Sequence, residues 1–340
     1  MNLPAPTLQL QVGFEIEFNC PQPTPMLLML HIHASRGADV TLGDHLLTWP
    51  VIPVASYQDL FGNDCCRIVA PAGSLVLHTD ALLFDHGQPD AYAPWAQQVP
   101  VQQLPADTLV YLLGSRYCET DQLCTLAWQQ FGNGPQGWGR VQAICDFVHT
   151  HIEFGYQHAR RTRTAWESYS ERRGVCRDFA HLAIALCRCM NIPARYCTGY
   201  LGDIRIPAVP GPMDFAGWFE AYLGDQWYTF DARNNTARVG RVLMARGRDA
   251  CDVALTTAFG PNTLQRFEVW ADEVPQASSA RGMQAPSQQI GAGPQWQGPG
   301  RGRPRFPGAC RARIQQTPHD GADIPGRVAL CAAIAAAQSR

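Results

Sequence analysis

The run GVCRDFAHLAIALCRCMNIPARYCTGY, residues 174–200, constrains the fold more than any other part of this chain. Phe179, Leu182, Ala183, Leu186 and Met190 recur at helical spacing, which predicts a helix with an apolar inner face beginning at Cys176. Asn191 offers a left-handed cap and Pro193 stops the helix just beyond it. Strand-like runs follow at 194–202, 216–223 and 226–231, with Gly224-Asp225 as a two-residue hairpin turn. A helix laid against an antiparallel sheet is the expected core, so the fold class is α+β.

The residue at the head of that helix carries chemistry. A thiol at Cys176 faces unpaired N–H groups and the positive end of the helix dipole, which lower a thiol pKa. Asp178 in the first turn suits the same dipole. Yet the sequence holds no histidine between His181 and His319, where a base for such a nucleophile is expected.

The N-terminal part differs in pattern. Leu8, Leu10, Val12, Phe14, Ile16 and Phe18 alternate with mostly polar residues, as a half-buried strand does. Further strands are expected at Met26–His33, Cys66–Ala70 and Ser74–Thr79. Residues 1–100 thus form a small antiparallel β domain. Helical periodicity then begins, at Glu119–Phe131 and Trp138–Phe154, and residues 101–274 are assigned to the core domain. An Arg-rich segment from His158 to Arg173 leads into the Cys176 helix, and a last core strand is expected at Thr263–Trp270. Residues 276–340 hold 8 Arg against 2 Asp among many Pro, Gly and Gln, so 275–340 is expected to be a disordered basic tail.

Composition excludes several classes. A net charge of −2 argues against a dedicated nucleic-acid binder for the core. All 27 cations are arginine, best read as a coding bias. Thirteen cysteines without framework spacing, and no C-x-x-C, fit a reduced cytosol. No secretory leader is expected at the N-terminus, and no apolar run reaches a membrane span. No phosphate loop, nucleophile elbow, zinc-protease helix, dinucleotide fingerprint or EF-hand spacing occurs, so neither cofactor nor metal is expected.

The run at 174–201, followed by MDFAGWFEAYLGDQWYTFDARNN at 213–235, resembles the transglutaminase-like superfamily, in particular its microbial cysteine-protease branch. The resemblance is strong over about residues 140–235 and implies a papain-like core acting on a peptide or protein substrate. It further implies a Cys nucleophile at a helix start, a His base on a neighbouring strand and an Asp that orients the His. Transferred to this chain, the nucleophile falls on Cys176 and the acid on Asp231, while the His position is occupied by Ala216.

The hairpin register can be worked out separately. With Gly224-Asp225 as the loop, Leu223 faces Gln226 and Trp218 faces Asp231. Residue 216 then lies one diagonal step from Asp231, roughly 7–8 Å away, with Arg233 directly opposite. Other bases are poorly placed. His181 lies about 140° around the helix from Cys176. Nothing in its spacing brings His158 to the thiol, and Glu220 is further from Asp231 than residue 216 is. Two readings stay open. One is a degenerate core with little triad catalysis, used as a structural or binding module. The other is a surviving cysteine enzyme whose thiolate is stabilised by the helix end and by Arg233 or Arg177, in a site lined by Trp218 and His158.

Overall fold

The computed structural model describes residues 8–208, 213–275, 314–315 and 328–330. The strands run in chain order as β1 (Leu8–Cys20), β2 (Thr24–Leu28), β3 (Val40–Leu42), β4 (Leu47–Trp49), β5 (Ala55–Gln58), β6 (Asp64–Ala70), β7 (Gly73–Asp85), β8 (Glu153–Phe154), β9 (Arg173–Gly174), β10 (Ala194–Leu201), β11 (Ala216–Leu223), β12 (Gln226–Phe230), β13 (Arg241–Gly247), β14 (Thr256–Ala258), β15 (Thr263–Val274), β16 (Ile314–Gln315) and β17 (Val328–Leu330). The α-helices are α1 (Thr120–Phe131), α2 (Trp138–His151), α3 (Ala165–Glu171) and α4 (Cys176–Cys189).

The mixed helix-and-antiparallel-sheet class is as the sequence predicts. The core sheet has the order β12-β11-β10-β13, and α4 packs across β10 and β11. Helix α4 departs from the expected one-sided stripe: every residue from Arg177 to Cys189 is buried. Helices α1, α2 and α3 cover its remaining faces. Leu182, Ile184 and Leu186 are each fully buried, and full burial of such a side chain contributes about 1.5–3 kcal/mol. The helix ends in a Schellman motif. Asn191 adopts φ 60°, Asn191 N–H donates to Arg188 O at 2.9 Å, and Ile192 N–H donates to Cys187 O at 3.0 Å.

The 223–226 hairpin closes as the register predicts, with Leu223 opposite Gln226 and Phe219 opposite Phe230. Gly224 and Asp225 have φ 51° and 68°, the type I′ geometry that matches strand twist. Two expected pairs fail here. Strand β12 stops at Phe230, so neither Asp231 opposite Trp218 nor Arg233 opposite residue 216 is a ladder pair. The Asp231 carboxylate is the cause: it accepts from the N–H groups of Arg233 and Asn234 and pulls the chain into a turn.

The N-terminal sheets also draw in later sequence. Strand β15, expected in the core domain, pairs with β1 along almost its whole length, and β1 pairs on its other edge with β7. Strand β14 pairs with β2, which pairs with β6. The N-terminal β unit is therefore closed by residues 256–274 and does not end near residue 100. The physical reason is the length of β1: both its edges carry 13 residues' worth of backbone donors and acceptors that need partners. Within the expected tail, β16 pairs with β15 and β17 with β14. The rest of residues 276–340, and with it the expectation of a disordered tail, lies outside the described residues.

The two units are tied at specific points. Phe215 is 1 % exposed and packs against Phe14, Tyr200 and Phe267 with ring centroids 6.1, 5.2 and 5.8 Å away. The Asn63 side chain bridges to β13 as a strand would, donating to Arg246 O at 2.8 Å and accepting from Arg246 N–H at 2.9 Å. Among the described residues no helix is long and apolar enough to cross a membrane.

Candidate active site

Cys176 is the first residue of α4 and is half-buried. The helix start is fixed by Asp178, whose Oδ2 accepts from Val175 N–H at 3.0 Å. That carboxylate is held in turn by Arg163 Nη1 at 3.1 Å and Arg177 Nη2 at 3.0 Å. The first turn is thereby rigid, and β11 approaches it with the Gly217 N–H directed at the Cys176 sulfur. Glycine at 217 leaves space for Tyr196, whose hydroxyl would lie 2.4 Å from a Cβ there.

The surroundings push the Cys176 thiol up to about 12, opposite to the shift expected from the helix terminus. Burial is the main cause, followed by the Asp214 carboxylate. The Gly217 N–H and Arg233 pull the other way, and Asp231 adds a further upward push. Desolvation and two nearby carboxylates thus set the direction of the shift, against the one expected of a helix terminus. At neutral pH the sulfur is protonated.

Asp231 is buried and its acceptor capacity is taken. Oδ1 accepts from Arg233 N–H at 3.1 Å and Asn234 N–H at 3.0 Å. Oδ2 accepts from Asn234 Nδ2 at 2.7 Å and Arg241 Nη2 at 3.2 Å. A carboxylate offers about four acceptor sites, so little is left for another donor. Arg241 is itself clamped between Asp231 and Asp90, whose Oδ2 lies 3.0 Å away, and it lies over the Trp218 ring at 4.7 Å. Trp218, expected to line the site, is thus a buried platform for the arginine that neutralises Asp231.

Ala216 begins β11, directly before the glycine that reaches the sulfur. Its carbonyl accepts from Thr198 Oγ1 at 3.0 Å, and the residue is only partly covered. The histidines expected nearest the site have other partners. His181 is buried, stacked on Tyr117 at 5.2 Å, and its Nε2 accepts from Ala250 N–H at 3.1 Å. Burial, with Arg177 and Arg188 nearby, holds it well below the usual histidine range, so it is a neutral packing residue as the spacing implies. His149 Nδ1 lies 3.2 Å from Ala232 O and 3.0 Å from Arg233 O.

Two expected site residues, Arg177 and His158, are used elsewhere, as is Glu220. Arg177 is 1 % exposed and hydrogen-bonds the Arg160 and Arg161 carbonyls, so it anchors the preceding loop and does not stabilise a thiolate. The His158 carbonyl accepts from Arg163, and its ring lies beside Gln157; neither contact brings it to the sulfur. Glu220 is paired with Arg195 at 2.6 Å. Arg233 does belong to the site, with its guanidinium 4.3 Å from the Phe154 ring and acting on Cys176.

Two residues that sequence reasoning missed complete the site. Asp214 is buried, and its Oδ1 accepts from Phe215 N–H at 2.7 Å. Tyr156 has its hydroxyl pushed upward, first by burial and then by the Asp214 and Cys176 charges. Asp214 lies two positions before Ala216 in the same quoted motif, but no spacing rule marks it. Tyr156 comes from a 3-10 turn distant in sequence. Among the described residues, no cluster of three or more His, Cys, Asp or Glu side chains is arranged to hold a metal ion.

Comparison with known proteins agrees with this geometry. Residues 126–232 match the family model described as the transglutaminase-like superfamily. A solved structure described as "a Putative Cysteine Protease from Cytophaga hutchinsonii" superposes with a TM-score of 0.67 at 29% identity, covering 82% of this chain and 94% of that one. Uncharacterized protein ML0607 of Mycobacterium leprae is 38% identical over 85 residues, 24% of this chain, and the match spans only 30% of that relative's length. The segment 126–232 of this chain, with Cys176 at its central helix and Asp231 at its hairpin, belongs to the transglutaminase-like superfamily.

Proposed function

We propose that this core is a cysteine-dependent acyl-transfer site working far below triad rates, on the amide of a peptide or protein. The observation that carries this reading is the local sequence at the sulfur. The strand position beside Gly217 holds Ala216, while the nucleophile position and the acid position keep Cys176 and Asp231. The reaction would be hydrolysis of an amide or its transfer to an amine. With no base to take the thiol proton, the loss is several powers of ten, since triad members act as a unit.

A specific observation favours a second reading, a binding or structural module without turnover. Asp231 is already neutralised by Arg241 at 3.2 Å, which is a structural use of the acid and leaves it no histidine to orient.

The deciding experiment follows ammonia release from a glutamine peptide, with and without a primary amine, together with hydrolysis of a peptide amide. Slow turnover that vanishes in Cys176→Ser supports the acyl-transfer reading. Turnover indistinguishable between wild type and Cys176→Ser supports the module and removes the enzyme reading.

A further inference from the structure

Strand β5 ends its sheet with one edge unused. The sheet runs β17-β14-β2-β6-β5, and β5 pairs on one side with β6, from Ala55 opposite Arg67 to Gln58 opposite Asp64. All four of its residues are exposed. Among the described residues no other backbone group hydrogen-bonds its main chain. Sheet edges are normally guarded by charge, proline or a bulge. Ala55, Ser56, Tyr57 and Gln58 supply neither charge nor proline, and the pairing with β6 runs without a register shift. In and beside this strand, Val51, Val54, Tyr57 and Leu60 expose large apolar side chains.

A pocket of about 360 Å³ lies against the same strand. Ser56, Tyr57 and Gln58 line it, with Asp64 from β6 and with His31 and Asp44 from the segments beyond β2 and β3. Its volume is at the small end for ligand sites, which suits one long side chain. The charges in the wall do not cancel. Asp44 is matched by His31, whose Nδ1 lies 3.6 Å from Asp44 Oδ2. Hydrogen bonds to Asp44 first and to Cys66 second raise His31 to about 10, so the ring is cationic at neutral pH. Asp64 is different. Its Oδ1 accepts from Gln58 Nε2 at 3.0 Å, and among the described residues no arginine or histidine lies within ion-pair distance of it. One carboxylate in the wall is therefore left without a counter-charge.

We propose that β5 receives an extended peptide as a further strand of this sheet, and that the pocket takes an arginine or lysine side chain of that peptide. Main-chain hydrogen bonds to the free edge supply affinity, and the charged pocket supplies selectivity. Charge complementarity names the occupant. Asp64 attracts a cation, whereas a glutamate at the same peptide position would meet like charge.

Strand alternation sets the neighbours of the basic residue. Ser56 and Gln58 share one face of β5, and Tyr57 takes the other. Asp64 lies opposite Gln58 and so belongs to the first face. With the basic side chain there, the peptide residues on either side of it fall on the face of Tyr57, where apolar side chains pack. The fitting sequence is apolar–basic–apolar in extended form. Binding at this edge needs no chemistry at Cys176, so the activity of the core does not bear on it.

The test uses the full chain carrying Cys176→Ser, so that binding is read without turnover. The probe is an N-terminally fluorescein-labelled Thr-Val-Arg-Val-Thr amide, titrated by fluorescence anisotropy. Expected is saturable binding that weakens at least about tenfold when the peptide arginine is replaced by citrulline. A similar factor is expected in Asp64→Asn, because a charge-assisted hydrogen bond is lost in each case. Asp64→Asn keeps an oxygen for Gln58 Nε2, and circular dichroism confirms that it folds. A peptide N-methylated at its three central residues should lose binding. Hydrogen exchange of the β5 amides should slow when the unmethylated peptide is added. No saturation below about 1 mM overturns the proposal. So do equal affinities for the arginine and citrulline peptides, an unchanged affinity in folded Asp64→Asn, or protection confined to residues outside β5. A dimer of the free protein with its β5 amides already protected gives the edge to a second copy and overturns it too.

Discussion

Replacing Asp214 with asparagine should make Cys176 more reactive, although the substitution removes a buried charge from a site that already lacks a base. The Cys176 thiol lies at about 12. An unperturbed cysteine lies near 8.5, so at pH 8 the wild-type site carries about 10³ less thiolate than a free thiol. A more basic thiolate is intrinsically more nucleophilic, with a Brønsted slope of about 0.4–0.5, and this recovers roughly 30-fold. Alkylation of Cys176 should therefore run close to two powers of ten below N-acetylcysteine, before any steric slowing. Burial is the largest cause of the shift and Asp214 the second. Removing one like charge at this range lowers the pKa by about one unit. The net gain at pH 8 is then roughly threefold, and the pKa still stays well above that of a free thiol. The assay is iodoacetamide labelling of the Cys176 peptide as a function of pH, followed by mass spectrometry. The sign is fixed: the logarithm of the rate should rise one unit per pH unit with no plateau below about pH 10. A plateau below pH 9 in the wild type, or an Asp214→Asn rate equal to or below wild type, refutes the reasoning.

Other outcomes follow from the same geometry. Ala216→His places a base at the partly covered head of β11 and should raise Cys176-dependent amide turnover by about 100-fold, the lower end for general-base catalysis, because Asp231 is already engaged by Arg241; no gain in a folded Ala216→His protein would show that the vacancy does not limit the site. Arg241→Gln leaves the Asp90 and Asp231 carboxylates without their shared cation, and urea unfolding should show a loss of about 3–5 kcal/mol. Phe215→Ala empties the pocket between Phe14, Tyr200 and Phe267, with an expected loss of about 3–5 kcal/mol by the same measurement. A loss below about 1 kcal/mol would mean that this contact does not hold the two units together.

Much of the local structure was legible because it depends on neighbours in the chain. The α4 stop at Asn191, the type I′ turn at Gly224-Asp225 and the alternation of β1 each follow from backbone preferences or from a short apolar period. The hairpin register was legible for the same reason: a two-residue turn sets it, and Leu223 pairs with Gln226 as expected. Beyond Phe230 the register reasoning fails, for Asp231 and Arg233 alike, because the Asp231 side chain, and not strand pairing, captures the backbone N–H groups.

Sequence alone thus determined the fold class, the position of Cys176 at a helix start and the alanine where a histidine is expected. Tertiary structure decided the electrical character of the site. The dipole that favours a thiolate is a local property of α4, while the burial and the charge of Asp214, just before β11, oppose it. Tertiary structure also decided the partner of Asp231. Arg241 arrives on a separate strand, and Asp90 comes from a segment more than a hundred residues earlier. His31, Asp44 and Asp64 meet at one pocket only because three separate segments fold together, since electrostatics act through space and a one-dimensional pattern carries no distances.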